Sequence, residues 1–221
     1  MIKWLLNLIF PPKCIFCANI LDINTEIYIC RDCYKKIPFV EETNAAFNKG
    51  FNYYDDMICV CKYSGIIKDA LKRFKFSNKP AYAKTFSLLL IQKLKEMTNG
   101  HVFDIIISVP LHKQKELARG YNQSYLISKE ISRGLGICEQ SAVLKRIRNT
   151  DSQSRLEKNM RLTNVKDAFM VNNAAAVTGK TILIIDDILT TGSTLNECCR
   201  VLKQAGAVKV IAAVIASGRK F

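Results

Sequence analysis

TILIIDDILTTGSTL, running from Thr181 to Leu195, is the stretch that decides the fold. Its apolar, mostly β-branched opening, Thr181 to Ile185, reads as a buried strand of a parallel sheet and is too short for a free-standing helix. Asp186 and Asp187 are expected to end that strand. A hydroxyl-rich turn follows, Thr190, Thr191, Gly192, Ser193 and Thr194, and then a helix is predicted over Leu195 to Gln204. In an open α/β sheet, ligands sit in the crevice outside the carboxyl ends of the strands. A turn that opens a helix presents N–H groups with no intrahelical partner and the positive end of the dipole, which together favour a phosphate. Gly192 lets the backbone come close, and the threonines and Ser193 supply hydroxyl donors. The paired acids would repel a phosphate, yet they could accept bonds from sugar hydroxyls, directly or around a divalent metal. Phosphate at one end and a diol at the other describe a ribose 5-phosphate.

The pattern, a hydrophobic strand followed by D-D-x-x-T-T-G-x-T, resembles the phosphoribosyl-pyrophosphate loop of type I phosphoribosyltransferases, and the match is complete. A nucleotide-binding strand of Walker B type would need a G-x-x-x-x-G-K-[ST] loop elsewhere, which this sequence lacks. A response-regulator acidic pocket would not need the run of hydroxyls.

Near the other end, Cys14, Cys17, Cys30 and Cys33 form two C-x-x-C pairs separated by a twelve-residue loop. Each pair suits a tight turn that aims two thiolates at one point, and four thiolates complete a closed, tetrahedral, structural zinc site. Such a small module cannot bury a core of its own, so metal binding would supply much of its folding energy. The competing reading, two disulfides, requires export. The opening MIKWLLNLIF is shorter than the roughly 20 apolar residues a membrane span needs, and it lacks a small-residue cleavage site. A short helix packed on the body is expected there. Interfacial membrane contact through Trp4 and Phe10 is the alternative.

A chain of 221 residues fits one medium domain with a small appendage, and an apolar fraction of 49% supports a real core. The five other cysteines read as core residues, since neither His101 nor His112 has an obvious cysteine partner. The net charge of +14 favours polyanionic partners. Within Ile66 to Phe76, Ile66, Ile67, Ala70, Leu71 and Phe74 share one helical face, and Lys68, Lys72, Arg73 and Lys75 fall largely on the others. A second basic cluster comprises Lys145, Arg146, Arg148, Arg155, Lys158 and Arg161.

From these anchors, residues 1–45 are expected to form the leading helix and four-cysteine zinc module, and residues 46–221 an α/β domain. Strands are predicted at Met57 to Tyr63, Phe103 to Val109, Ala142 to Ile147, Thr181 to Ile185 and Val208 to Ile215. Helices are predicted at Ile66 to Phe76, Ala81 to Met97 and Gln123 to Leu135, with a long loop or hairpin from Arg148 to Asn164. Strands alternating with helices imply a doubly wound, mostly parallel sheet.

Two further blocks extend the resemblance along nearly the whole chain. SVPLHKQKELARGYNQSYL and RIRNTDSQSRLEKNMRLTNVKDAF are similar to the P-L-x(n)-R-G-[FY]-N-Q and R-x-R-x-T-x-x-Q-x-x-L-x(4)-R-x-x-N-x(4)-F blocks of the ComF (ComFC) competence-protein family. Lys113, Gln114 and Lys115 stand where arginines are usual. The resemblance implies a type I phosphoribosyltransferase fold and a part in natural transformation, handling incoming single-stranded DNA in the cytoplasm. Asp186 and Asp187 would then hold the ribose hydroxyls with Mg²⁺ bridging to pyrophosphate, and Thr190, Thr191, Gly192, Ser193 and Thr194 would hold the 5-phosphate. Pro110, Leu111 and the loop up to Arg119 would face the pyrophosphate, and Arg148 to Arg161 would correspond to a lid. Any chemistry would rest on Asp186, Asp187 and Arg148.

Two functions compete. One is a DNA-uptake factor that binds phosphoribosyl pyrophosphate and tracks single-stranded DNA along a basic groove, with Tyr63, Phe74, Phe76, Tyr121 and Tyr125 available for base stacking. Its expected partners are a DNA-uptake ATPase or helicase and, peripherally, the inner membrane. The alternative is a working phosphoribosyltransferase acting on a nucleobase or amine with pyrophosphate release, although no residues for recognising an acceptor stand out.

Overall fold

The computed structural model describes residues 10–41, 52–97, 102–148 and 165–219. A single turn, α1 (Arg31–Tyr34), lies in the cysteine-rich segment. Then come β1 (Asp56–Lys62), α2 (Gly65–Phe76), α3 (Tyr82–Met97), β2 (Ile105–Ser108), α4 (Lys113–Arg119), α5 (Gln123–Leu135) and β3 (Cys138–Glu139). The chain continues with β4 (Leu144–Arg146), β5 (Phe169–Val171), β6 (Thr181–Leu189), α6 (Ser193–Gln204) and β7 (Lys209–Ser217).

Five strands form one sheet in the order β1-β7-β6-β2-β3, with every pairing parallel. The central strands are apolar on both faces because helices cover both. Leu183, Ile185, Ile211 and Ala213 join the core built with Ile67, Leu71 and Phe74 of α2, Phe86 and Leu90 of α3, and Ile127 and Ile131 of α5. Ile182, Ile184, Val210 and Ala212 pack on the other side against Leu195, Cys198, Cys199 and Leu202 of α6. Ile67, Leu71 and Phe74, spaced four and three apart, are each fully buried, a contribution of about 1.5–3 kcal/mol apiece. The expected doubly wound, mostly parallel α/β fold is what these residues build.

Three expectations change. The strand expected to stop at Ile185 runs on to Leu189, because β7 stays paired with it as far as Leu189↔Ser217. The segment expected at Ala142 to Ile147 does not join the main sheet. Its core, β4, pairs antiparallel with β5, and the two-residue β3 takes the sheet edge beside β2. Cys138 is exposed, whereas Cys59, Cys61, Cys198 and Cys199 are buried as expected.

The cysteine-rich segment shares the core of the α/β sheet: Cys14, Ile15, Ile29, Cys33 and Ile37 pack with α2 and α3. Its exit continues the sheet edge, with Val40 N–H donating to Val60 O and Lys62 N–H to Pro38 O. Arg73 of α2 clamps the first C-x-x-C turn by donating to Ile15 O at 2.8 Å and Phe16 O at 3.2 Å. The expected leading helix with Trp4 and residues 149–164 of the expected lid lie outside the described residues.

Candidate functional site

The pairing of β2 with β6 ends at Ser108↔Ile185, while β6 and β7 stay paired beyond it. Residues 186–189 therefore have a paired strand on one side only. The chain leaves β2 for α5 on one face of the sheet and leaves β6 for α6 on the opposite face. This divergence is a topological switch point, the place where open α/β sheets bind ligands. A cleft of about 1050 Å³ opens there.

The paired acids form its floor. Asp186 Oδ1 accepts from Ser124 Oγ at 2.8 Å and from Asp187 N–H at 2.9 Å. Burial, and then the charge of Asp187, push the Asp186 carboxyl up to about 7. The Asp187 side chain is 8% exposed, and its Oδ2 lies 3.5 Å from Lys75 Nζ at the end of α2. That oxygen accepts no hydrogen bond.

At the far end of β6, Gly192 adopts the left-handed conformation at φ +83 and caps α6. The helix starts at Ser193, two residues earlier than expected, so the last hydroxyls of the loop belong to its first turn. Thr190, Gly192 and Thr194 line the cleft. The hydroxyls of Thr191 and Ser193 lie 3.0 Å apart and bond to each other. Arg219, just past β7, braces the loop by donating to Thr191 O at 2.6 Å.

The facing wall comes from the segment after β2. Pro110, Leu111, Lys115 and Arg119 line the cleft, as do Asn122, Gln123 and Ser124. Asn122 ties the two ends of this segment together: its Nδ2 donates to Val109 O at 3.0 Å and its Oδ1 accepts from Ser124 N–H at 3.1 Å, capping α5. Arg119 is lowered by burial, with the nearby charge of Asp187 opposing, and donates to Gln123 Oε1 at 2.5 Å. That bond fixes the amide orientation and leaves Gln123 Nε2 as a buried donor with no acceptor.

Among the sequence-predicted residues, Asp186, Asp187, Thr190, Gly192, Thr194, Pro110, Leu111 and Arg119 meet in one cleft. Arg148 is placed elsewhere, donating to Lys166 O at 2.8 Å on the exposed surface. Among the described residues of that block, Arg146 reaches the cleft, its guanidinium 5.3 Å above the Phe169 ring and lowered by burial, with the charge of Asp186 among the effects opposing that shift. Lys75, Asn122, Gln123, Ser124, Arg146 and Arg219 are not among the site residues expected from sequence. Lys75 and Arg146 stood inside noted basic clusters, but nothing in their spacing marked them out.

In the cysteine-rich segment, the Sγ atoms of Cys14, Cys17, Cys30 and Cys33 all lie within 4.8 Å of one another. Cys17 and Cys30 Sγ are 3.7 Å apart, close to the roughly 3.8 Å edge of a tetrahedron with 2.3 Å zinc–sulfur bonds. The donor set fits zinc. Burial disfavours the Cys14 thiolate, but N–H groups at Cys17, Cys30 and Phe16 outweigh it and lower the thiol to about 7, whereas burial and the neighbouring thiols push the Cys33 thiol up.

Residues 122–220 match the phosphoribosyl transferase domain, and residues 5–45 match the double zinc ribbon domain. The chain is 32% identical over 157 residues to the DNA utilization protein YhgH of Escherichia coli strain K12, covering 70% of this chain and 68% of that one. It is 28% identical over 218 residues to Competence protein F of Haemophilus influenzae, covering 91% and 95%. The chain belongs to the ComF family. Competence protein ComFC of Bacillus subtilis is 30% identical over 147 residues, covering 66% of this chain and 58% of that one. Among solved structures, the glutamine phosphoribosylpyrophosphate amidotransferase of B. subtilis, complexed with ADP and GMP, is similar at 18% identity and TM-score 0.42 over 61% of this chain and 26% of that chain. The purine phosphoribosyltransferase of Pyrococcus horikoshii is similar at 17% identity and TM-score 0.39, covering 63% and 84%. The four cysteines of this ComF chain are those that would hold the structural zinc of a double zinc ribbon, and its sheet is of phosphoribosyltransferase type. Among the described residues no helix is long and apolar enough to cross a membrane.

Proposed function

We propose that the cleft binds phosphoribosyl pyrophosphate with Mg²⁺ and that the protein works in DNA uptake by handling single-stranded DNA in the cytoplasm. One observation carries the ligand reading: a buried acceptor without a hydrogen bond, Asp187 Oδ2, and a buried donor without an acceptor, Gln123 Nε2, belong to the same cleft. Buried polar atoms are normally satisfied, so a ligand offering both a cation and anionic oxygens would complete this site. Asp186 and Asp187 would hold the Mg²⁺ and the ribose hydroxyls. Bound Mg²⁺ would offset pyrophosphate charge beside the two acids. Thr190, Gly192 and Thr194 at the start of α6 would hold the 5-phosphate, and Gln123, Arg119 and Lys115 would face the pyrophosphate.

The DNA reading is supported by relatives named Competence protein F and DNA utilization protein YhgH, and by the rim of the cleft. Lys72, Lys75, Lys115 and Arg119 line the cleft together with Phe76, a residue 74% exposed, and the Arg119 guanidinium lies 5.6 Å from its ring. Cations around an aromatic suit phosphate tracking with base stacking. Of the other aromatics proposed for stacking, Phe74 is fully buried, and Tyr121 has its hydroxyl bonded to Phe74 O.

Single-strand affinity measured across a salt series tests this. A steep linear fall of log K against log salt is expected, with weakening at saturating phosphoribosyl pyrophosphate because both ligands use the same cations. A flat salt response would exclude a backbone-tracking role. Pyrophosphate release with a nucleobase or amine would make the protein a transferase instead.

A further inference from the structure

We infer that Lys75 is the counter-ion of Asp187 in the ligand-free cleft, competes with the divalent cation for that carboxylate, and pairs with ligand phosphate once displaced. This rests on the metal–phosphate reading above and adds a residue that neither the D-D-x-x-T-T-G-x-T loop nor the loop after β2 contains.

Three observations carry it. The Lys75–Asp187 contact is loose. Its 3.5 Å separation exceeds the roughly 2.7–2.9 Å of a charge-assisted hydrogen bond, and Asp187 Oδ2 accepts none. Structural ion pairs elsewhere in this chain close fully, Lys203 with Asp55 and Arg200 with Glu197 each at 2.6 Å. The second observation is position. Asp187 is nearly sealed, whereas the Lys75 side chain is 29% exposed and lines the cleft, so it can leave the carboxylate without leaving the site. Third, the backbone beneath it is fixed. Arg73 is anchored on Ile15 O and Phe16 O, and the Tyr121 hydroxyl bonds to Phe74 O and accepts from Lys79 N–H at 3.1 Å. Exchange therefore needs only the rotation of one long side chain.

The charges facing the pair explain why a mobile cation is wanted. Asp186 adds a second acid beside Asp187, while Arg119 and Arg146 are tied to Gln123 and stacked on Phe169. Without Lys75 the ligand-free cleft would hold two adjacent acids with, among the described residues, no cation in direct contact with Asp187. With Mg²⁺ bound, the same lysine becomes surplus to the acids and faces the anion that arrives with the metal.

The test compares the zinc-loaded full chain with Lys75→Met, Lys75→Arg and Asp187→Asn. Mn²⁺ binding without phosphoribosyl pyrophosphate is followed by the electron paramagnetic resonance of the free ion, and phosphoribosyl pyrophosphate with Mg²⁺ is titrated by calorimetry. Lys75→Met should bind bare Mn²⁺ about tenfold more tightly and the sugar pyrophosphate about tenfold more weakly. Lys75→Arg should stay near wild type for both, and Asp187→Asn should lose Mn²⁺. Lys75→Gln repeats the measurement should the Met variant fail to fold. Affinities that move in the same direction, or do not move, overturn the exchange while leaving the ligand site standing. Wild-type protein that binds no sugar pyrophosphate overturns the site reading and this inference with it.

Discussion

Gly192 is where the hydroxyl loop makes its one conformational demand. Its φ of +83 is costly for any residue with a Cβ, and an added Cβ would lie 2.3 Å from Arg219 Nη2. Gly192→Ala should cost about 1–2 kcal/mol in denaturant unfolding and displace Arg219 from Thr191 O. Phosphoribosyl pyrophosphate affinity should fall at least about tenfold, and an unchanged affinity would remove the loop from the site. Asp186 makes a different kind of demand. Its folded-state carboxyl titrates near 7 against an ordinary value of 3.8, so between those pH values the folded state keeps a proton the unfolded chain has released. Stability of the ligand-free protein should therefore fall as pH rises through that window, and the loss should be complete above it. Asp186→Asn should melt higher than wild type at pH 8 without ligand, by on the order of 1 kcal/mol, and should lose the stabilisation that phosphoribosyl pyrophosphate with Mg²⁺ confers on wild type. A variant less stable at pH 8 would mean the acid pair is not strained. The acids and the loop could be read from one contiguous stretch. Ser124 and Lys75 could not, since they reach the acids from helices 62 and 112 residues away.

At the scale of elements, periodicity located α5 to the residue and α2 to within one, because each carries an unbroken apolar stripe, and α5 is also capped by Asn122 and Gly136. It failed where partner strands decide the outcome. Nothing local tells Asp186 and Asp187 that β7 will extend β6 past them, or tells residues 144–146 that they will pair with β5 rather than the sheet. The end of α2 is the element most exposed to test. Phe76 is held outward with the Arg119 guanidinium 5.6 Å from its ring, although burial would have stabilised it. Phe76→Ala should change unfolding stability by less than about 0.5 kcal/mol. Single-strand DNA affinity should drop by about 1–3 kcal/mol, the scale of one stacked base. A variant that binds DNA as well as wild type, measured by anisotropy at fixed salt, would move the strand off this rim.

Across the whole molecule, the alternation of strands and helices disclosed the layered α/β architecture, and the spacing of four cysteines disclosed the metal module. Their fusion was not legible, because the contact between Arg73 and the turn at residues 15–16 joins segments 57 to 58 residues apart. Since Cys14, Ile15, Cys33 and Ile37 belong to the same core as α2, removing zinc should loosen the α/β domain as well as the module. A strong chelator should lower the melting midpoint by roughly 5 °C or more and weaken sugar-pyrophosphate binding through the α2 end that carries Lys75. An unaltered midpoint in differential scanning calorimetry would make the module an independent appendage. The measurement closest to the centre of the account is calorimetric titration of phosphoribosyl pyrophosphate with Mg²⁺ into wild type and Asp187→Asn. The account predicts saturable, Mg²⁺-dependent binding to wild type and none to the variant. No heat of binding in wild type, or equal affinity in both proteins, would contradict it.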